Sequence, residues 1–317
     1  MIRQSLVEPE LGEAAVHFEN LTGDGLGVSA RQNEMVELAL TYGFKGIDID
    51  VTEMVSRIAT FGEDFAKRYI SSAQKSAKLK IGSFKLPISI LGEDSEFEAR
   101  LPKLEQAADF AASIEAMRCV TDVPPGSNHH AYHENFELYR TRLGKVAEIL
   151  GKREIQFGIG MQAAENLRQN YEYQFIFQAE ALLTLIKTIG LGNVGLSLDL
   201  WNWMVGDGGL DQIDELTAAK VVAVRLSDVP DGADLASLSS KDRLLPGTAE
   251  GTLAIKLVEW LETNNYEGPV SATPHSSQFS ALTRDAVVQR TSEALDAVLE
   301  RSGAVEAAPV AAAATEE

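Results

Sequence analysis

Residues 194–230 read VGLSLDLWNWMVGDGGLDQIDELTAAKVVAVRLSDVP, and two of its segments decide the fold class. Val194–Leu200 and Val221–Asp228 are short apolar runs with an aspartate near the end, and an amphipathic stretch separates them. Runs of this length, rich in Val and Leu and set between helical patterns, are parallel strands buried on both faces. The same unit recurs on either side, as Ala14–Asn20, Lys45–Val51, Leu79–Leu86, Ala116–Thr121, Ile155–Gln162 and Gly268–Thr273. The helical stretches include SARQNEMVELALTYG (29–43), with Ser29 and Gly43 as expected caps, QFIFQAEALLTLIKTIG (174–190) and TLAIKLVEWLETNNY (252–266). Eight strands in strict alternation with helices predict an α/β fold, a single (β/α)8 TIM barrel. No GxGxxG follows the first strand, so a doubly wound dinucleotide fold is not indicated.

The expected domain covers 14–301. Residues 1–13 read as an irregular lead-in with Pro9 and Gly12, and 302–317 (SGAVEAAPVAAAATEE) as a disordered tail too poor in apolar bulk to offset ordering entropy. With 45% apolar and 24% charged residues, the 317-residue chain can bury a full core. A net charge of −19 opposes the phosphate contacts that dominate nucleic-acid affinity, so no nucleic-acid partner is expected. No apolar run approaches the roughly 18 residues of a membrane span, and no leader pattern opens the chain, so a cytoplasmic protein is expected. The single cysteine, Cys119, reads as core filler. A small neutral sugar or polyol is compatible with this charge, and a phosphorylated one would need a local basic pocket from Lys85, Arg118, Arg225 or Arg243. A homo-oligomer is also compatible with the sequence.

Barrel chemistry sits at the C-terminal strand ends and the loops after them. The strand-end polar residues are therefore the candidates: His17, Glu19 and Asn20, then Asp48 and Asp50, Lys85, Asp122, Gln162 and Glu165, Asp199, Trp201 and Asn202, Arg225 and Asp228, Thr273 and His275. Glu165 is the general base that position favours. Trp201 and Trp203 can stack on a sugar face or pack under helices. His129, His130 and His133 look like a histidine metal motif, but no cysteine or HExxH phrase accompanies them and solvated loop histidines are expected.

The phrases VGLSLDLWNW (194–203), VVAVRLSDVP (221–230), DRLLPGTAEG (242–251) and GPVSATPH (268–275), with LALTYGFKGIDI (38–49) earlier, resemble the xylose isomerase-like sugar phosphate isomerase and epimerase family. The resemblance spans about 14–300, with specific motifs in about 190–275. It implies a divalent ion held by Glu, Asp, His and Glu on strands five to eight, polarising a carbonyl and stabilising an enediolate. Only Asp199 stands at its place; the other positions fall on Gly160, Arg225 and Thr273, and the family's outer histidine on Asn202. The resemblance therefore implies that the ordinary Mn or Mg site is missing and that no cofactor is bound.

Two substitutes are open. A displaced site would join Gln162, Asp199 and His275, and alternatively Arg225 would occupy the ion's place and pair with Asp199. Arg243 corresponds to an arginine that contacts substrate oxygens in several relatives, and Asp228 would orient Arg225 or a loop amide. The expected function is a sugar isomerase or epimerase, or a related dehydratase, acting at the C-terminal rim on Asp199, Arg225 and Glu165. The alternative is a noncatalytic, metal-free sugar-binding barrel. An apurinic endonuclease would need a richer zinc cluster and a basic face.

Overall fold

The computed structural model describes residues 17–23, 26–28, 30–62, 78–250 and 253–303. The expected lead-in, residues 14–16 of the first run, Ser29 and tail residues 304–317 lie outside these. All eight expected strand runs form, with adjusted bounds: β1 Phe18–Leu21, β2 Gly46–Ile47, β3 Lys80–Ile81 with β4 Phe84–Lys85, β5 Arg118–Val123, β7 Gln156–Met161, β9 Val194–Asp199, β10 Val221–Leu226 and β11 Pro269–Ala272. They line up as β3-β2-β1-β11-β10-β9-β7-β5-β4, every pair parallel. β3 and β4 are two halves of the one expected run 79–86. The first half pairs with β2 and the second with β5, so this segment closes the curled sheet on itself.

The third run is broken by the residues it must pass. A Cβ at Gly82 would lie 2.2 Å from Asn20 Oδ1, so only glycine lets the Asn20 amide in. Beside it, Ser83 turns its N–H and hydroxyl to the Asp48 carboxylate at 2.7 and 3.0 Å. A two-stranded antiparallel ladder of β6 (Gly126–Ser127) and β8 (Tyr173–Gln174) joins the loops after β5 and β7 and has no signature in the sequence.

Helices α1 (Gln32–Thr41), α2 (Val51–Phe61), α3 (Asp94–Ser113), α4 (Tyr132–Gly151), α6 (Ala179–Ile189), α9 (Leu253–Thr263) and α10 (Arg284–Ser302) follow the barrel strands other than β9. The short α5 (Glu165–Arg168), α7 (Leu200–Val205) and α8 (Leu210–Asp214) lie in loops. α1 starts later than expected: Arg31 is its N-cap, and the Arg31 N–H donates to Glu34 Oε2. Gly43 follows the helix at φ 80°, as expected.

Alternation along the strands divides the residues between two faces. Leu196, Phe157 and Cys119 belong to the large core that meets the helices. Cys119 is completely buried and lies opposite Phe84 in the β4–β5 register. Inside the barrel, a Cβ at Gly158 would touch Val120, Ser197 and Val222, which mark a lower interior layer. Two residues further toward the C-terminal rim stand Asp122, Gly160 and Asp199. A register shift at the start of β10, between Val221 and Ala223, lets Arg225 pair beside Asp199 at this level. The apolar floor and charged upper layer thus follow from period-two alternation. No helix among the described residues is long and apolar enough to cross a membrane.

Candidate functional site at the barrel mouth

Asp199 ends β9 and caps α7, its Oδ1 accepting the Asn202 N–H at 2.9 Å. Its Oδ2 pairs with Arg243 Nη2 at 2.5 Å, and both side chains are largely buried. The same guanidinium donates to the Thr273 carbonyl at 3.2 Å and hydroxyl at 3.0 Å, and lies over the Trp201 ring at 5.3 Å. Asn202 in turn accepts from the Ala163 N–H at 3.0 Å. Asp199, Arg243, Thr273 and Asn202 therefore form one knot across β9, β11 and the loop after β7.

The expected pairing is corrected here: the guanidinium seated on Asp199 comes from Arg243, while Arg225 makes its ion pair with Asp122 at 3.5 Å. Gly160 explains the second pair. A Cβ at 160 would lie 2.2 Å from Asp122 Oδ1, so the missing side chain on β7 leaves room for the carboxylate from β5. The Arg225 charge also acts on Asp48, whose Oδ1 accepts from Asn20, from the Ser83 N–H and from the Ser83 hydroxyl. Burial raises the Asp48 carboxyl above its ordinary range, against the pull of the Arg225 charge and the Asn20 hydrogen bond. Two arginines and three aspartates thus interlock at the mouth.

A cavity of about 630 Å³ opens beside this cluster, between the loops after β1, β2 and β4. Asp48, Ser83, Lys85, Gln32 and Arg225 line it. Gln32 holds the edge, donating to the Asp48 carbonyl at 3.2 Å and accepting from the Asp50 N–H at 3.2 Å. Gln32 and Ser83 escape a reading based on strand ends. The glycine inside a strand pattern at 82 was the signal that would have marked Ser83.

The remaining candidates fall elsewhere. His17 precedes β1 because the strand starts at Phe18, which puts it on the opposite rim, 2.6 Å from Glu262. Glu165 opens α5 outside the cavity lining and accepts from Gln169 at 2.8 Å. Gln162, half-buried after β7, is likewise outside that lining. His275 turns Nδ1 to Ser277, with the hydroxyl at 2.8 Å and the N–H at 3.1 Å. Asp228 binds the Ala249 N–H at 3.1 Å in the 247–249 loop, so it orients loop amides, one of its two expected roles. Trp201 is completely buried under Arg243, which leaves no face for a sugar, and Trp203 is buried with its indole N–H on the Gly209 carbonyl. Arg118 opens β5 at the opposite rim and donates to the Glu267 carbonyl.

A divalent ion does not fit the positions where the family resemblance places its ligands. Gly160 has no donor, Arg225 brings a fixed positive charge, Thr273 offers one hydroxyl already bonded to Arg243, and the Asp199 carboxylate is committed. Among the described residues, no three His, Cys, Asp or Glu side chains gather as a metal site.

The fold and the mouth cluster together define an α/β barrel whose polar groups converge at the C-terminal rim. The chain belongs to the xylose isomerase-like TIM barrel family, whose model matches residues 36–298. It is similar in structure to a xylose isomerase domain protein of Alicyclobacillus acidocaldarius, at TM-score 0.78 and 20% identity over 90% of this chain and 99% of that one. It is also similar to a D-tagatose 3-epimerase-like protein, at TM-score 0.63 and 17% identity, covering 90% of this chain and 98% of that one. A probable 3-DHS dehydratase of Bacillus anthracis gives 0.64 and 14%, covering 88% and 98%. No curated protein sequence matches the chain.

Proposed function

We propose that the protein binds a small polyhydroxylated, sugar-like ligand in the mouth cavity and does so without a divalent ion. The observation that carries this reading is the disposition of charge. Arg225 and Lys85 stand in the cavity wall with Asp48 and Ser83, while the Asp199 position is closed by Arg243. A guanidinium can orient two sugar oxygens, and carboxylate, hydroxyl and amide groups around it match the alternating donors and acceptors of a polyol. Arg243, Asn202, His275 and Asp228 then act indirectly, by holding the strand ends and loops that frame the cavity.

A second reading, isomerisation or epimerisation, is favoured by Asp48. A cavity-lining carboxyl pushed above its ordinary range, with a guanidinium in the same wall, is suited to take a proton from carbon next to a carbonyl. Arg225 would then face the developing enediolate. Both readings agree with relatives named as epimerase-like and dehydratase.

Calorimetry with a panel of aldoses, ketoses, inososes and their phosphates, with EDTA and again with manganese, tests the binding. Saturable binding unchanged by EDTA and reduced by Arg225→Gln is expected. Binding that appears only with manganese overturns the metal-free reading. Exchange of the bound ligand's C–H protons in D2O, followed by NMR and lost in Asp48→Asn, separates catalysis from binding.

A further inference from the structure

A second cavity, of about 460 Å³, lies outside the barrel mouth, between the loop before α3, the loop after β5 and the first turns of α4. It shares no lining residue with the mouth cavity. Asn135, on the first turn of α4, is 3% exposed and lines this second space, and its Nδ2 meets no hydrogen-bond acceptor. A buried amide donor without an acceptor is rare and costly, and an acceptor that enters with a ligand would satisfy it.

The charge around it points the same way. Arg142 is 4% exposed and is held by the Ile90 carbonyl at 2.6 Å and by Asp94 at 2.7 Å, with its guanidinium over the Phe97 ring at 5.1 Å. The Asp94 side chain is 92% exposed, so water screens that partner while the guanidinium stays inside. The wall also carries the Glu93 carboxylate, which is exposed, so its buried fixed charge is the Arg142 guanidinium. Around these two donors stand Leu138, Tyr139 and Tyr171, together with polar residues of the loop after β5, among them His129 and His130.

We propose that this cavity is a second ligand site, for a small carboxylate carrying an aromatic or apolar body. The carboxylate accepts from Asn135 Nδ2 and faces Arg142, while the body rests against Leu138, Tyr139 and Tyr171. Charge-assisted hydrogen bonds of this kind give selectivity against a neutral isostere, because only the anion gains from the guanidinium.

The test is calorimetric titration of the full chain with benzoate and, separately, with benzamide. Saturable benzoate binding is expected, with benzamide at least about tenfold weaker. Asn135→Asp places a like charge on the ligand and should weaken benzoate by at least about tenfold as well. Leu138→Trp fills the space and should abolish binding. Circular dichroism and the melting temperature establish that each variant folds, and if Asn135→Asp does not fold, Leu138→Trp decides. Equal affinity for benzamide, undiminished binding in either folded variant, or no saturation by benzoate at millimolar concentration overturns the proposal.

Discussion

At Gly160 the absence of a side chain is what lets Asp122 stand beside Arg225. Even one added carbon would meet the Asp122 side-chain Oδ1 at 2.2 Å and the Ser197 backbone carbonyl at 3.2 Å, so the carboxylate would have to swing away from Arg225. Gly160→Ala is expected to lower stability by about 1–3 kcal/mol in urea titration, and wild-type stability would mean that Asp122 is not held there. His17 makes a second residue-scale prediction. Its Nδ1 lies near Glu262 Oε1 but off the hydrogen-bond axis, so the contact does not offset burial, which together with the Lys80 charge lowers the imidazole to about 4. The folded state thus favours the neutral ring. This contribution is intact above the ordinary value of 6.5 and is lost as pH falls through about 4. Between those limits His17→Gln should flatten the fall in unfolding free energy measured by urea titration, relative to wild type, by about 3 kcal/mol at the acid end. Parallel pH profiles for the two proteins would contradict the assignment.

Among the elements, the broken third strand matters most, since β3 and β4 join the two ends of the sheet. Gly82→Ala must displace the Asn20 amide, which also holds Asp48 at 2.9 Å and the Ser271 hydroxyl at 3.0 Å. A loss of about 2 kcal/mol is expected by denaturant unfolding, together with weaker ligand binding at the mouth. Unchanged ligand affinity would separate the strand break from the site. The number, order and parallel direction of the strands were legible in the sequence, because buried apolar runs between helical periods admit few alternatives. Strand ends were less legible, and His17 was misplaced for that reason: one residue of error at Phe18 moves it to the other rim. The family resemblance pointed to Asp199, which the structure places in a cluster with Asp122 and Asp48. It did not reveal which arginine reaches that carboxylate, because Arg243 arrives from a loop whose path depends on Asp228 and on the bridge between Asp228 and Leu244. Periodicity says nothing about such paths.

For the molecule as a whole, a net charge of −19 means that folding concentrates like charge on a compact surface. Sodium chloride should therefore raise the melting temperature measured by calorimetry as the Debye length shrinks from about 30 Å to about 8 Å between dilute and physiological salt. A melting temperature that is flat or falls with salt would show that the interlocked aspartates and arginines, rather than the surface, dominate the electrostatics. One further consequence belongs to Cys119. The only thiol of the chain is wholly enclosed, opposite Phe84, where the circle of strands is joined, and its surroundings push its proton affinity up. It is therefore a built-in reporter: a sulfhydryl dye added to native protein can react only when that join parts, so the colour it develops clocks how often the circle comes undone.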